Sequence, residues 1–297
     1  VSEAVGSGVS EAVGSGVSEA VGSGVSEAVG SGLSGAVGRI GAMALRYWYL
    51  LSGSFARLID LFYWPAGNVV LWGFMSAFLA GNSSFIAKAS GVLLAAVLLW
   101  DAMFRSQLGV SIGFLEEMWS RNLGHMFVSP LRPHEWLLSL IFVSILRTLV
   151  GLAPAVLIAM FLYHFSIFDL GLPLAGFLFN LMMMGWWLAL LIIALILRYG
   201  QGAENLAWAV AFVLSPLSAI YYPISVLPDW LRPVALALPA SHVFEGMRGV
   251  MVDHVFDAAR LWNAFGLNLL YLGIASLVFL LAFRGARARG ALLQLGE

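Results

Sequence analysis

Six long apolar runs constrain this chain more than any other feature. They lie at about residues 62–80, 91–111, 136–163, 172–197, 206–222 and 263–283. A helix rises 1.5 Å per residue, so about 20 apolar residues cross a hydrocarbon layer about 30 Å thick. No water is available there to satisfy backbone N–H and C=O groups, so each run must bond to itself as a helix. The reading is an all-α integral membrane protein with six transmembrane helices. Composition agrees: 61% of residues are hydrophobic and 10% charged, with a mean hydropathy of +0.92. Soluble domains carry about 25% charged residues, so a soluble enzyme is excluded.

The same counts exclude other classes. There is no cysteine, hence no disulfide and no thiolate metal site. Lys88 is the only lysine and the net charge is −1, so nothing points to nucleic acid. Eleven tryptophans and twenty phenylalanines suit aromatic belts at the two membrane surfaces.

Ahead of the runs, residues 1–32 are four copies of Val-Ser-Glu-Ala-Val-Gly-Ser-Gly, with a decayed fifth copy from Leu33 to Ile40. Two glycines per copy disfavour a helix by about 1 kcal/mol each. Residues 1–39 therefore read as a disordered, low-complexity cytoplasmic tail, lacking the basic start and apolar centre of a signal peptide. Residues 40–297 form the transmembrane domain. Its first part, 40–61, with Arg39 just ahead of it, mixes Arg46 and Arg57 with Met43, Tyr47, Trp48, Leu50 and Phe55, the pattern of an amphipathic helix lying in the interface.

Basic residues orient the spans. With six crossings, one side holds Arg39, Arg46, Arg57, Arg121, Arg132, Arg198, Arg284, Arg287 and Arg289. The other holds Lys88, Arg232, Arg248 and Arg260. This bias puts both termini in the cytoplasm.

The segment from Glu116 to Glu135 is the longest polar stretch between runs. Its first part predicts a short helix with Glu116 and Glu117 in the first turn, where the helix dipole favours them. Ser129-Pro130 and Arg132-Pro133 then predict a break. Such a charged, proline-bounded elbow is either a docking surface or an ordinary solvated loop.

Charges also fall inside the runs. Asp101 and Arg105 are four residues apart on one helix face and can pair, and Arg147 sits about eleven residues into the third run. They face a pathway or subunit interface, or form an internal pair with Arg147 reaching toward the cytoplasm. Glu245 and Arg248 are likewise spaced to pair on a helix. The run Asn180-Leu-Met-Met-Met-Gly-Trp-Trp187 suits either a hydrophobic substrate wall or helix packing. Gly109-Val-Ser-Ile-Gly113 matches the Gly-x-Ser-x-Gly nucleophile pattern but ends an apolar run, not a strand, which argues against an intramembrane serine hydrolase. His134-Glu135 lacks the second histidine of a zinc motif.

Several of these stretches together resemble the permease subunits of type-2 ABC exporters (the ABC-2 family). They are the acidic start and the Val128-Ser-Pro-Leu-Arg-Pro133 run, then Ser215-Pro-Leu-Ser-Ala-Ile-Tyr-Tyr-Pro223, Leu227-Pro-Asp-Trp-Leu231, Leu238-Pro-Ala240 and Glu245-Gly-Met-Arg248. The resemblance covers about residues 40–297. It implies that the first cytoplasmic loop is a coupling helix seated on an ATPase, with Glu116, Glu117, Arg121 and Arg132 as coupling residues. It further implies that the segment marked by Pro223, Pro228, Pro239, Glu245 and Arg248 forms short re-entrant helices on the outer side.

No phosphate-loop motif occurs in the chain, so ATP and Mg would be bound by a partner ATPase and not by this chain. Six spans are few for a complete pore, so a second permease copy is expected. The expected function is export of a hydrophobic or amphipathic small molecule across a bacterial inner membrane. A polysaccharide or lipid-linked glycan exporter is the alternative within the class, and a self-sufficient channel or secondary transporter the alternative outside it.

Overall fold

The computed structural model describes residues 35–80, 84–123 and 131–289, and among these every regular element is helical. The octapeptide repeats, the polar turn at 81–83, the Ser129-Pro130 break and residues 290–297 lie outside the described residues. Helix α1 occupies 35–52. It is followed by α2 (Phe55–Ala80), α3 (Ser84–Trp119), α4 (Pro133–Tyr163), α5 (Pro173–Tyr199) and α6 (Leu206–Leu214). Two short helices, α7 (Arg232–Leu236) and α8 (Pro239–Arg248), lead into the long α9 (Ala258–Ala288).

Boundaries follow local chemistry. Pro133, Pro173 and Pro239 each open a helix, where a missing N–H costs nothing. Asp257 caps α9 by accepting the amides of Ala259 at 3.0 Å and Arg260 at 3.4 Å. Gly200 leaves α5 at φ +78, a conformation an L side chain resists.

Three boundaries differ from the sequence reading. Helix α1 is already formed at residue 35, inside the stretch 1–39 that reads as a disordered tail. The N-terminal helix stops at residue 52, and Gly53-Ser54 breaks it from α2, which starts at Phe55 instead of Phe62. Helix α3 does not end near Ser111 but runs 36 residues to Trp119, because nothing between 112 and 119 breaks a helix even though hydropathy falls.

Among the described residues, four helices are long and apolar enough to cross a membrane: Gly91–Trp119 of α3, α4, α5 and α9. Helix α2 has 26 residues but carries Arg57, Asp60, Pro65 and Asn68 and is less apolar. The fifth run is not one continuous helix. Helix α6 has nine residues and passes into a 3-10 turn at Pro216–Ser218, after which Ala219 turns left-handed at φ 53. Pro216 supplies no N–H to the preceding turn, which halts the α pattern there.

Close approaches give the directions of the helices. A Cβ on Gly109 would lie 2.8 Å from Ser144, and one on Gly113 2.7 Å from Leu140, so α3 and α4 are antiparallel. Gly109-x-x-x-Gly113 is thus a small-residue packing face, and buried Ser111 lies within the helix, not on a nucleophile turn. Gly151 of α4 meets Leu61 of α2, and Tyr163 Oη donates to the Val70 carbonyl at 2.9 Å, so α2 and α4 are parallel.

Helix α5 is the buried centre. At Gly185 a Cβ would come within 2.7 Å of Met103 O and 2.8 Å of Gln107 N, so α3 and α5 touch by backbone. Met182, Met183, Met184, Trp186 and Trp187 are buried in the core, so this run packs helices together. Asn268 of α9 donates to Asn180 O at 2.8 Å and to Asn180 Oδ1 at 3.1 Å, and Trp187 Nε1 donates to Asn268 Oδ1 at 3.0 Å.

Helices α5 and α9 run the same way, so residues 200–257 must carry the chain back from one end of the bundle to the other. They climb along α3: Glu204 accepts from Trp119 Nε1, the Ala207 carbonyl accepts from Gln107, Phe104 meets Trp208 and Phe212, and Trp100 meets Phe244. The return is made in pieces.

Candidate functional site

The end of the bundle holding α1, the C-terminus of α3 and the N-terminus of α4 contains the expected coupling residues. Here α1 crosses α4 rather than running beside it. Arg39 bonds Glu135 while Tyr47, eight residues on, bonds the adjacent Trp136.

Glu116 and Glu117 sit in the last turn of α3, not in the first turn of a separate helix as their position after the apolar run predicts. Two carboxylates at a helix C-terminus oppose the dipole. Arginines from other elements compensate. Arg46 of α1 donates through Nη1 and Nη2 to the two Glu117 oxygens at 2.6 and 3.1 Å, and Arg57 of α2 lies 3.7 Å from Glu116. Glu117 is only 2% exposed while Arg46 is 39% exposed, so the carboxylate is built into the junction.

The turn after α3 fixes Glu117 further. Asn122 N donates to Glu117 O at 2.9 Å and Arg121 N to Met118 O at 3.0 Å, with Arg121 left-handed at φ 55. This is the bond pattern of a Schellman motif, with arginine where glycine is usual. Asn122 Nδ2 also reaches Glu117 Oε2 at 2.7 Å.

A second clamp holds α4. Glu135 takes Arg39 in a bidentate pair at 2.8 and 2.6 Å and accepts the Arg132 amide at 3.1 Å, covering an open N–H of the helix start. Trp136 Nε1 donates to Tyr47 Oη at 2.9 Å, and its ring lies 5.6 Å from Phe114. Burial pushes the Tyr47 phenol well above its ordinary pKa, so it stays neutral as the acceptor.

The four expected coupling residues therefore divide. Glu117 is internal and Glu116 half-buried, while Arg121 and Arg132 are exposed on either side of residues 124–130. Sequence reasoning missed Glu135 and the tie of Arg39 and Arg46 to distant carboxylates. The available signal was an acidic residue three positions after Arg132 at a proline-opened helix.

Asp101 and Arg105 do pair, at 2.6 Å, with both side chains largely buried. Asn68 of α2 also bonds Asp101, and Gly151 of α4 leaves room for the guanidinium, since a Cβ there would lie 3.0 Å from Arg105. The pair sits in the seam between α2, α3 and α4. Arg147 lies one helical turn before Gly151 on that seam, with Asp60 and Glu116 as its acidic neighbours.

At the opposite end, Arg248 donates to the carbonyls of Ala219, Ile220 at 3.2 Å and Tyr222 at 2.7 Å, and pairs with Glu245 at 3.2 Å. Glu245 also accepts the Ile224 amide at 2.8 Å and lies 3.9 Å from Arg260 of α9. Pro223 precedes the 3-10 turn Ile224–Val226, the Pro228 carbonyl accepts the Leu231 and Arg232 amides, and Pro239 opens α8. The expected pair thus organises the proline-punctuated segment through its backbone.

Comparison with protein families matches residues 47–252 to the family described as ABC-2 type transporter. No curated protein matches the chain. The matched region begins at Tyr47 in α1, just after Arg39 and Arg46, takes in Glu117, Glu135, Glu245 and Arg248, and reaches the π turn Gly249–Asp253. That family is a membrane transport domain whose partner is an ABC ATPase, and the match spans well over half of the 297 residues. The chain therefore belongs to the ABC-2 type transporter family.

Proposed function

We propose that this chain is the permease subunit of an ATP-driven exporter, carrying a hydrophobic or amphipathic small molecule across a bacterial inner membrane. Two copies and two ATPases make the working unit, and ATP with Mg is bound by the ATPases. The chain crosses the membrane six times with both termini cytoplasmic. Helix α2 and the broken 206–218 segment supply the two crossings beyond the four most apolar helices. The exposed faces of α4 and α9 carry large apolar side chains such as Phe142, Phe161, Leu270 and Leu281, which suits lipid and an apolar cargo.

The observation that carries this reading is the buried Glu117 carboxylate at the end of α3, held by Arg46 of α1 and by Asn122. Motion of the ATPase against exposed Arg121 and Arg132 reaches α3 and α4 through the same junction that fixes α1. The cytoplasmic end thus moves as one piece.

The test is reconstitution in liposomes with the co-purifying ATPase. Arg132→Ala should leave ATP hydrolysis running while substrate efflux falls. Transport by this chain alone, with neither ATPase nor ATP, would refute the reading.

A further inference from the structure

Beyond the junction at the α1 end, a motor stroke must reach the proline-punctuated segment at the other end of the bundle. Helix α2 is the direct route. It follows α1 after only Gly53-Ser54, and Arg57 bridges the break by donating to the Leu50 carbonyl at 3.2 Å. Near its far end, Trp72 stacks on Tyr221 with ring centroids 4.7 Å apart and planes 14° from parallel.

Tyr221 belongs to the 219–222 turn, whose carbonyls are held by Arg248 of α8. Glu245, on the same helix, takes the Ile224 amide and faces Arg260 of α9. That turn is therefore fixed to α8 on one side and meets α2 at the Trp72–Tyr221 stack on the other. Stacked aromatic rings hold a preferred geometry and attract each other beyond the apolar area they bury.

We propose that Trp72 and Tyr221 are positioning residues that couple α2 to the outer segment, with Arg248 making the 219–224 turn and α8 move as a unit. The inference rests on the permease reading above. It assigns the stack a role in transport itself, apart from the stability of either end.

The experiment uses the full chain with its ATPase in liposomes, reading substrate efflux and ATP hydrolysis side by side. Trp72→Ala and Tyr221→Ala should each lower efflux about tenfold, inside the range of coupling between distant sites, while hydrolysis stays near wild type. Trp72→Phe and Tyr221→Phe keep a stacking ring and should restore most of the efflux. The double alanine variant should be no worse than either single one, since one contact is lost in each case.

A measurement on the unaltered joint covers variants that fail to fold. The chain lacks cysteine, so single cysteines at exposed Leu71 and Val226 can carry spin labels that flank the stack. Their separation should hold between nucleotide-free and ATP-bound states. A change in that separation during active transport, or alanine variants that export at the wild-type rate, overturns the proposal. Wild-type protein showing no ATP-dependent efflux instead overturns the permease reading, so the two failures are separable.

Discussion

Arginines hold both ends of this bundle, but they hold different things. At the α1 end, Arg39 and Arg46 reach carboxylates 96 and 71 residues away, joining three helices that are distant in sequence. At the far end, Arg248 and Arg232 reach mainly backbone carbonyls in their own neighbourhood, such as those of Tyr222, Leu227 and Ser225. The first arrangement ties rigid rods into one block. The second folds a segment whose five prolines from 216 to 239 leave it short of helical N–H donors. One end locks helices together, and the other keeps an irregular backbone in shape.

Removing Arg248 should have the largest effect. Arg248→Ala strips three carbonyls of their donor and leaves Glu245 with only the Ile224 amide and the more distant Arg260 among the partners named above. Losing one partner of a buried, hydrogen-bonded pair costs about 3–5 kcal/mol. Burial already pushes the Arg248 pKa down, with Glu245 acting against that, so the cation depends on its acceptors. Limited proteolysis should then cut within 216–257 while the α1 end stays protected. Equal loss of protection at both ends would break the distinction.

Arg46→Ala should come next, at about 2–3 kcal/mol by thermal melting in detergent, below the fully buried range because Arg46 is 39% exposed. Glu117 would keep Asn122 and the Tyr47 hydroxyl. The expected signature is opposite to that of Arg248→Ala, with α1 released and the proline-punctuated segment still protected.

How much of this was visible in the sequence depended on distance along the chain. Asp101–Arg105 and Glu245–Arg248 were legible because helical spacing alone brings i,i+4 and i,i+3 partners together. The four most apolar helices were legible from hydropathy, and the proline-rich return from its prolines. Arg39–Glu135 and Arg46–Glu117 were not, since no local pattern states which carboxylate a distant arginine will meet. The end of α3 was misread for a related reason: apolarity stops near Ser111, but no breaker follows, so the helix continues and carries Glu116 and Glu117 away from the first-turn position predicted for them. Gly185 was read as part of a soft, aromatic run, although its real task is to let the α3 backbone approach α5.

Gly185→Ala serves as the neutral control between the two ends. The added methyl would meet Met103 O and Gln107 N, which are backbone atoms and cannot rotate away. Overpacking of this kind costs about 1–3 kcal/mol. The loss should appear as a lower melting temperature with protection at both ends reduced alike, because α5 is common to them. A loss confined to one end would mean that the ends do not share this core.

The smallest effect separates carbonyl-holding from charge-pairing at the far end. Arg232 pairs with Asp229 at 2.6 Å, but Asp229 is 90% exposed and Arg232 42% exposed. An ion pair that wet contributes about 0–1 kcal/mol. Arg232 also donates to Leu227 O at 2.9 Å and Ser225 O at 2.8 Å, and these bonds do not need the aspartate. Asp229→Ala should therefore leave melting and proteolytic protection nearly unchanged, whereas Arg232→Ala should expose the 225–231 stretch. If Asp229→Ala matched Arg232→Ala, the far end would be held by paired charges after all. It would then work on the same principle as the α1 end.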